Sequence, residues 1–363
     1  MDFVDIQVVL QAFELQGTAR VMLVDGRGLV SAHVPSFPPD APAVLFALQG
    51  LELSALLRPL MAVYPPGFAL SVLGVDGGVK SVPLAALGGD SAVALLVPAL
   101  GQGTSFEAFQ ELIAHLRAPE DGCPWDKKQT HHSLRKHLLE ESYETISAMD
   151  EMDAAKMREE FGDLLLQIVL NAQIAVEADE FNMAGVLAGI YDKIVRRHPH
   201  VFGEVAVNGV DQVLSNWEAI KAEERKKNGE EEKGALDGLP ASLPALSQAQ
   251  EIQERAARLK FDWPEIDGVL DKVREEIVEV RNTTNMEDLV DEMGDLFFTL
   301  VALARWKNVD SESALRAASR KFAGRFKYLE ARARQAGRMV HELDSDEMDV
   351  LWVEAKQALS SRQ

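Results

Sequence analysis

Glu141 and Glu144, in "LLEESYE" (138–144), stand three residues apart, and Glu160 and Asp163, in "EEFGD" (159–163), repeat the spacing. On a helix, positions i and i+3 share a face, so each pair presents two carboxylates side by side. Glu276 and Glu279 in "REEIVEV" (274–280), with Glu292 and Asp295 in "DEMGD" (291–295), reproduce the arrangement further on. Carboxylates held together repel one another unless a cation neutralises them. Oxygen-only ligation selects hard divalent cations, above all Mg²⁺ or Mn²⁺. A solvated acidic face is the competing explanation.

The order of the residues favours the metal. Glu144 and Glu160 are equidistant from residue 152, and so are Glu141 and Asp163. An antiparallel helical hairpin turning in "MDEMDAAK" (149–156) therefore sets the pairs opposite each other at matching heights. In the second set, Glu279 and Glu292 are equidistant from the Asn285–Met286 bond, as are Glu276 and Asp295, with "NTTN" (282–285) as the turn. The loops differ in length, yet the mirror relation survives. The apolar flanks "FGDLLLQIVL" and "MGDLFFTLVAL" predict that the acids point into a groove. Gly162 and Gly294 take matched mid-helix places, where glycine is costly, and a close helix–helix approach would explain them.

A metal held by carboxylates leaves positions for water and for substrate phosphates, so the expected ligand is a phosphate ester or nucleotide. Basic pairs at i,i+4 fit that ligand: Lys193 with Arg197, and Lys321 with Arg325. Lys221 and Lys356 each follow a tryptophan, Trp217 and Trp352, by four residues. Such a pair could clamp a base and a phosphate, although tryptophan at helical spacing is more often core. Metal-assisted attack needs a carboxylate to orient or deprotonate water. The candidates are Glu140 and Glu275, each about 100° round the helix from the neighbouring ligand. Cys123 lies near His131 and His132, but adjacency in sequence is weak support for a nucleophilic dyad. His198 and His200 flank a proline and do not share a helical face, so a structural or phosphate-side role is expected.

The elements that must position these residues are helices. From Ser105 onward the pattern is helical, beginning with a serine cap at "SFEAFQELIAHLR" (105–117). Matches in the same order, "CPWD" with "FDWP", "EESYE" with "EEIVE", "EEFGD" with "DEMGD", "KIVRR" with "KFAGR" and "WEAIK" with "WVEAK", indicate an internal duplication. The expected organisation is a first helical unit over 105–228, a linker over 229–242 and a second unit over 243–363. Residues 1–100 differ. Short β-rich runs at 19–25, 43–49, 68–76 and 91–100, punctuated by Pro and Gly, with one helix at 51–64, read as a small α/β segment. The predicted fold class is mainly α, as two tandem all-α bundle units behind that segment.

Over 363 residues the net charge is −21, a poor basis for binding nucleic acid polymers or anionic membrane by bulk charge. A lone cysteine rules out an intrachain disulfide and fits a reducing cytosol. The N-terminal stretch lacks a basic leader, and no apolar run reaches membrane-spanning length, so neither export nor a transmembrane helix is expected.

"DGCPWDKKQTHHSL" (121–134), "LLEESYE", "EEFGDLLLQ" and "RRHPHVFG" (196–203), followed by "FDW", "EEIVEV", "DEMGDLFF" and "KFAGRF", strongly resemble the MazG-type nucleoside triphosphate pyrophosphohydrolases over roughly residues 105–363. The resemblance implies an all-α, cytosolic, usually dimeric enzyme. It would cleave nucleoside triphosphates to monophosphate and pyrophosphate with Mg²⁺, clearing non-standard or surplus nucleotides. It implies metal ligation by Glu141, Glu144, Glu160 and Asp163 and by Glu276, Glu279, Glu292 and Asp295, and phosphate contacts by Lys321, Arg325 and Lys356. "LLRPLMAVYPPGFALSVLGVDGGVKSVPLAAL" (56–87) with "ALLVPAL" (94–100) resembles part of a tetrapyrrole methylase, but "VDGRG" (24–28) reads only as a turn, so an inactive remnant is expected. A sensor that binds nucleotide and metal without turnover is the rival from another class.

Overall fold

The structure, a computed structural model, describes residues 6–89, 92–227, 234–240 and 242–360. Residues 229–233 and 241 of the expected linker lie outside the described residues. Two compact units emerge. One is formed by the described residues of Met1–Ile146 and Ala154–Ile190, the other by those of Ser147–Asp153 and Tyr191–Gln363.

The first unit opens with helix α1 (Ile6–Ala12), strand β1 (Met22–Asp25), helix α2 (Gly26–Val30) and strand β2 (Ala43–Phe46). "VDGRG" is thus more than a turn: Asp25 accepts from the Arg27 N–H and caps α2. The helix expected at 51–64 is shorter, a 3₁₀ turn (Leu53–Leu56) running into α3 (Leu57–Met61). Strands β3 (Ala69–Gly74), β4 (Val79–Pro83) and β5 (Ala92–Val97) complete a sheet of order β1-β2-β5-β3-β4, antiparallel except for β1 against β2. The sequence reading assigned no strand to β4. Its lysine, serine and terminal proline suit an exposed edge and resemble loop composition. Gly77, at φ +78°, makes the β3–β4 turn. Leu45, Leu70 and Leu95 are fully buried on one face of the sheet, and Val9 of α1 and Phe13 just after it cover the other.

Ser105 caps α4 (Phe106–Leu116) as expected, its Oγ accepting from the Ala108 N–H at 3.1 Å. Then come α5 (His131–Glu151), α6 (Ala154–Glu177), α7 (Met183–Arg197), the single turn α8 (Pro199–Phe202) and α9 (Val210–Lys227). Ile113, Leu134, Val169 and Leu170 form the core where α4 meets the α5–α6 hairpin. The second unit, which takes in α8 and α9, continues with α10 (Ala245–Arg258), α11 (Ile266–Asn282), α12 (Met286–Trp306), α13 (Ser311–Gln335) and α14 (Ser345–Ser360). There α12 packs on α10 and α11, burying Val269, Val301 and Ala302, while Leu329 and Ala333 of α13 pack with Leu351 and Trp352 of α14. No described helix is long and apolar enough to cross a membrane.

Candidate metal centres and their basic neighbours

Both predicted hairpins form. The first turns at Met152, which takes φ +55°, at the expected centre. The second turns just before Asn285, whose side chain accepts from the Asp288 N–H at 2.9 Å and starts α12. Within the first hairpin Thr145 is buried and its hydroxyl donates to the Glu160 carbonyl at 3.3 Å, tying α5 to α6 beside the acids.

Each hairpin brings three of its four acids together. Glu141 and Glu144 of α5 meet Glu160 of α6, and Glu276 and Glu279 of α11 meet Glu292 of α12. In each trio one oxygen per residue lies within 4.8 Å of the others. Asp163 and Asp295 stand outside these trios. Asp163 is still close enough to act on its neighbours. Glu141 is raised above the usual carboxylate range by partial loss of solvent, then by Asp163, Glu144, Glu140 and Glu160. Glu160 is raised likewise, by lost solvent and then by Glu144 and Asp163, against a lowering from Lys156. Glu279 is raised by lost solvent; Lys272 opposes this, and Glu276, Glu292 and Glu275 add to it. All three shifts come first from lost solvent, with neighbouring carboxylates adding to it.

The trios differ in depth. Glu276 is only 2% exposed, and its Oε2 has no hydrogen-bond partner among the described residues. Its Oε1 lies 2.7 Å from the Lys272 ammonium, which also holds Glu275 at 2.7 Å. A buried carboxylate oxygen without a donor is costly, and a cation satisfies it without a proton. Three hard oxygens and an orphaned buried lone pair fit a divalent metal. In the first trio Glu141 and Glu160 are half-buried and Glu144 is exposed. There His137 takes the place of Lys272, 3.7 Å from Glu140. Sequence reasoning missed Lys272, although its place four residues before Glu276 was a signal.

The expected groove is open at its flanks, with Phe161 and Phe297 about half exposed. A methyl group added at Gly162 or Gly294 would meet nothing within 4 Å, so close helix approach does not account for these glycines among the described residues.

Among the basic candidates, Arg197 is engaged. Its Nη2 lies 2.8 Å from Glu224 Oε2, and Arg196 Nε lies 2.6 Å from the same carboxylate. These hydrogen bonds hold Glu224 down at about 2, Arg197 being the larger cause. Lys193 is exposed, and Lys221 pairs with Glu218 at 2.9 Å. The Trp217 Nε1 is buried without a partner among the described residues, and the ring packs edge-on to His198 at 5.1 Å. His198 thereby takes a structural place. In the second repeat the Arg325 guanidinium lies 6.0 Å from the Trp352 ring centre, and Phe322 packs on the same ring at 5.0 Å. Lys321 and Lys356 are exposed on α13 and α14. No hydrogen bond or ion pair joins Lys321 or Arg325 to the acidic trio among the described residues. Cys123 is a half-buried free thiol, and His131 is occupied by Asn171 at 2.7 Å.

Residues 129–202 match the MazG nucleotide pyrophosphohydrolase domain, and residues 247–322 match phosphoribosyl-ATP pyrophosphohydrolase. The chain is 44% identical over 254 residues to the nucleoside triphosphate pyrophosphohydrolase/pyrophosphatase MazG of Thermotoga maritima, covering 70% of this chain and 96% of that protein. It is 42% identical over 250 residues to the nucleoside triphosphate pyrophosphohydrolase of Escherichia coli, covering 68% of this chain and 94% of that protein. It is 39% identical over 256 residues to the uncharacterized protein YabN of Bacillus subtilis, covering 69% of this chain and 52% of that protein.

Proposed function

The chain belongs to the MazG family of nucleotide pyrophosphohydrolases, and from that premise we propose that it hydrolyses nucleoside triphosphates to the monophosphate and pyrophosphate. The observation that carries this reading is the convergence of two acidic trios on two helical hairpins, one of them around a buried, unpartnered carboxylate oxygen. Mg²⁺ is the proposed metal, with Mn²⁺ able to replace it. When bound it supplies charge neutralisation on the phosphates.

Glu276, Glu279 and Glu292 would hold it, with Asp295 as the proposed fourth ligand; Glu141, Glu144, Glu160 and Asp163 form the matching set. Lys272 keeps Glu276 oriented from the side away from its orphaned oxygen. Lys321, Arg325 and Lys356 would bind the leaving pyrophosphate, and Trp352 carries Arg325 on its face. Glu275 and Glu140 remain the proposed water-orienting carboxylates. Lys193, Arg197, Trp217 and Lys221 are the corresponding positions of the first unit, where the Glu224 ion pair leaves Arg197 the weaker phosphate contact. The functional boundaries we propose are those of the sequence repeats, 105–228 and 243–363, with residues 1–100 taking no part in the chemistry. The half-exposed Phe161 and Phe297 flanks support a homodimer that covers them, and the single cysteine supports a cytoplasmic setting.

The test is pyrophosphate release from a panel of ribo- and deoxyribonucleoside triphosphates with Mg²⁺. Release of pyrophosphate and monophosphate in equal amounts is expected. Tight nucleotide binding without turnover would replace the enzyme by a sensor.

A further inference from the structure

Helix α13 carries Lys321 and Arg325, and its preceding turns carry Arg316 and Arg320, four residues apart on one face. Both arginines reach one carboxylate. Asp150 Oδ2 lies 2.8 Å from Arg320 Nη1 and 3.4 Å from Arg316 Nε. Asp150 comes from the last turn of α5, and residues Ser147–Asp153 belong to the same compact unit as α13. Asp150 and Arg316 are partly shielded, at 22% and 19% exposure, while Arg320, at 35%, is more open to solvent.

The geometry restricts one motion in particular. Arg320 donates a hydrogen bond to Asp150, and Arg316, one turn earlier, adds an ion-pair contact without a hydrogen bond, so rotation of α13 about its axis lengthens at least one of the two. Lys321 follows Arg320 directly and lies about 100° round the helix from it. Arg325 continues the Lys321 face one turn later. The grip of Asp150 on one face therefore sets where the adjacent basic face points.

We propose that Asp150, a residue of the first repeat, is a positioning residue for the phosphate-binding face of the second repeat, acting through Arg316 and Arg320. This rests on the reading of Lys321 and Arg325 as phosphate ligands. It assigns the first repeat a part in the second repeat's reaction that does not depend on turnover at its own acidic trio.

Steady-state kinetics of the full chain test it. Asp150→Asn should raise KM for the Mg²⁺–nucleotide about threefold to tenfold, with kcat within about twofold of wild type, and Asp150→Glu should restore KM. Arg320→Gln should raise KM in the same direction, and the double variant should be no worse than Asp150→Asn alone. A general loss of folding would lower kcat through the active fraction and leave KM alone; that result, or additive KM effects, overturns the proposal. Calorimetric binding of inorganic tripolyphosphate with Mg²⁺ separates the two readings. If the wild type turns over no nucleotide, the pyrophosphohydrolase reading fails, while a weaker affinity in Asp150→Asn by the same factor still supports positioning. Equal affinity in wild type and variant, or no binding by either, overturns it.

Discussion

The two helical repeats hold the same acids on the same hairpin and surround them differently. In the second, Glu276 is buried beside Lys272 with one oxygen unpartnered among the described residues; in the first, Glu141 is half-buried and Lys272 is replaced by His137. The basic helices diverge too. Arg196 and Arg197 share Glu224, whereas the matching positions in the second repeat are Gly324, Arg325 and Leu359. With glycine and leucine at those positions, no ion pair of the Arg196–Glu224 kind can form there. Arg325 is left against Trp352, with no carboxylate partner among the described residues. Duplication preserved the ligand spacing and let the supporting charges drift. The second repeat buries its acidic trio more deeply and leaves Arg325 against an aromatic ring, whereas in the first repeat Arg197 is engaged by Glu224.

A divalent chelator should produce the largest effect, abolishing turnover, and full activity in EDTA would break the comparison at its root. The next effect separates the basic helices. Arg325→Ala is expected to raise KM about tenfold, and Arg197→Ala to change it by less than about twofold, because Arg197 is already spent on Glu224. Equal KM effects would mean that the Glu224 pair opens for substrate.

The Glu224 cluster also has a pH signature. Its folded value is depressed to about 2 from an ordinary 4.5, so its stabilisation is present above about pH 4.5 and is lost as pH falls towards 2. Glu224→Gln should flatten that acid limb and cost on the order of 1 kcal/mol at neutral pH, read by denaturant unfolding. An unchanged acid limb would show that the pair contributes nothing. The smallest effect concerns the mid-helix glycines. With nothing within 4 Å of an added methyl, Gly162→Ala and Gly294→Ala should each stabilise by about 0.5–1 kcal/mol. Destabilisation, or lost self-association, would place a second copy against those faces.

The hairpins were legible because their signal is arithmetic: acids equidistant from a turn stay opposite when the loop changes length. The Ser105 cap was legible because its chemistry is local. What escaped was tertiary or inconspicuous. Strand β4 hides in edge composition, and the partners of Arg197 and Arg320 come from Glu224 and Asp150, distant in sequence. The glycines misled because helix cost was read as helix contact. The fourth acid of each set was expected inside the cluster; Asp163 and Asp295 lie outside the two trios whose oxygens converge, yet Asp163 is near enough to raise Glu141 and Glu160.

The central claim, that the second trio is the principal metal site and the first a subordinate one, meets its most direct test in the turnover of two single variants. Circular dichroism must first show that both remain helical. Glu276→Ala is expected to lower kcat by about 100-fold or more, and Glu141→Ala by less than about tenfold, since only the former removes a buried carboxylate. If Glu141→Ala abolishes activity while Glu276→Ala is harmless, the catalytic repeat is the first one, and the account is contradicted.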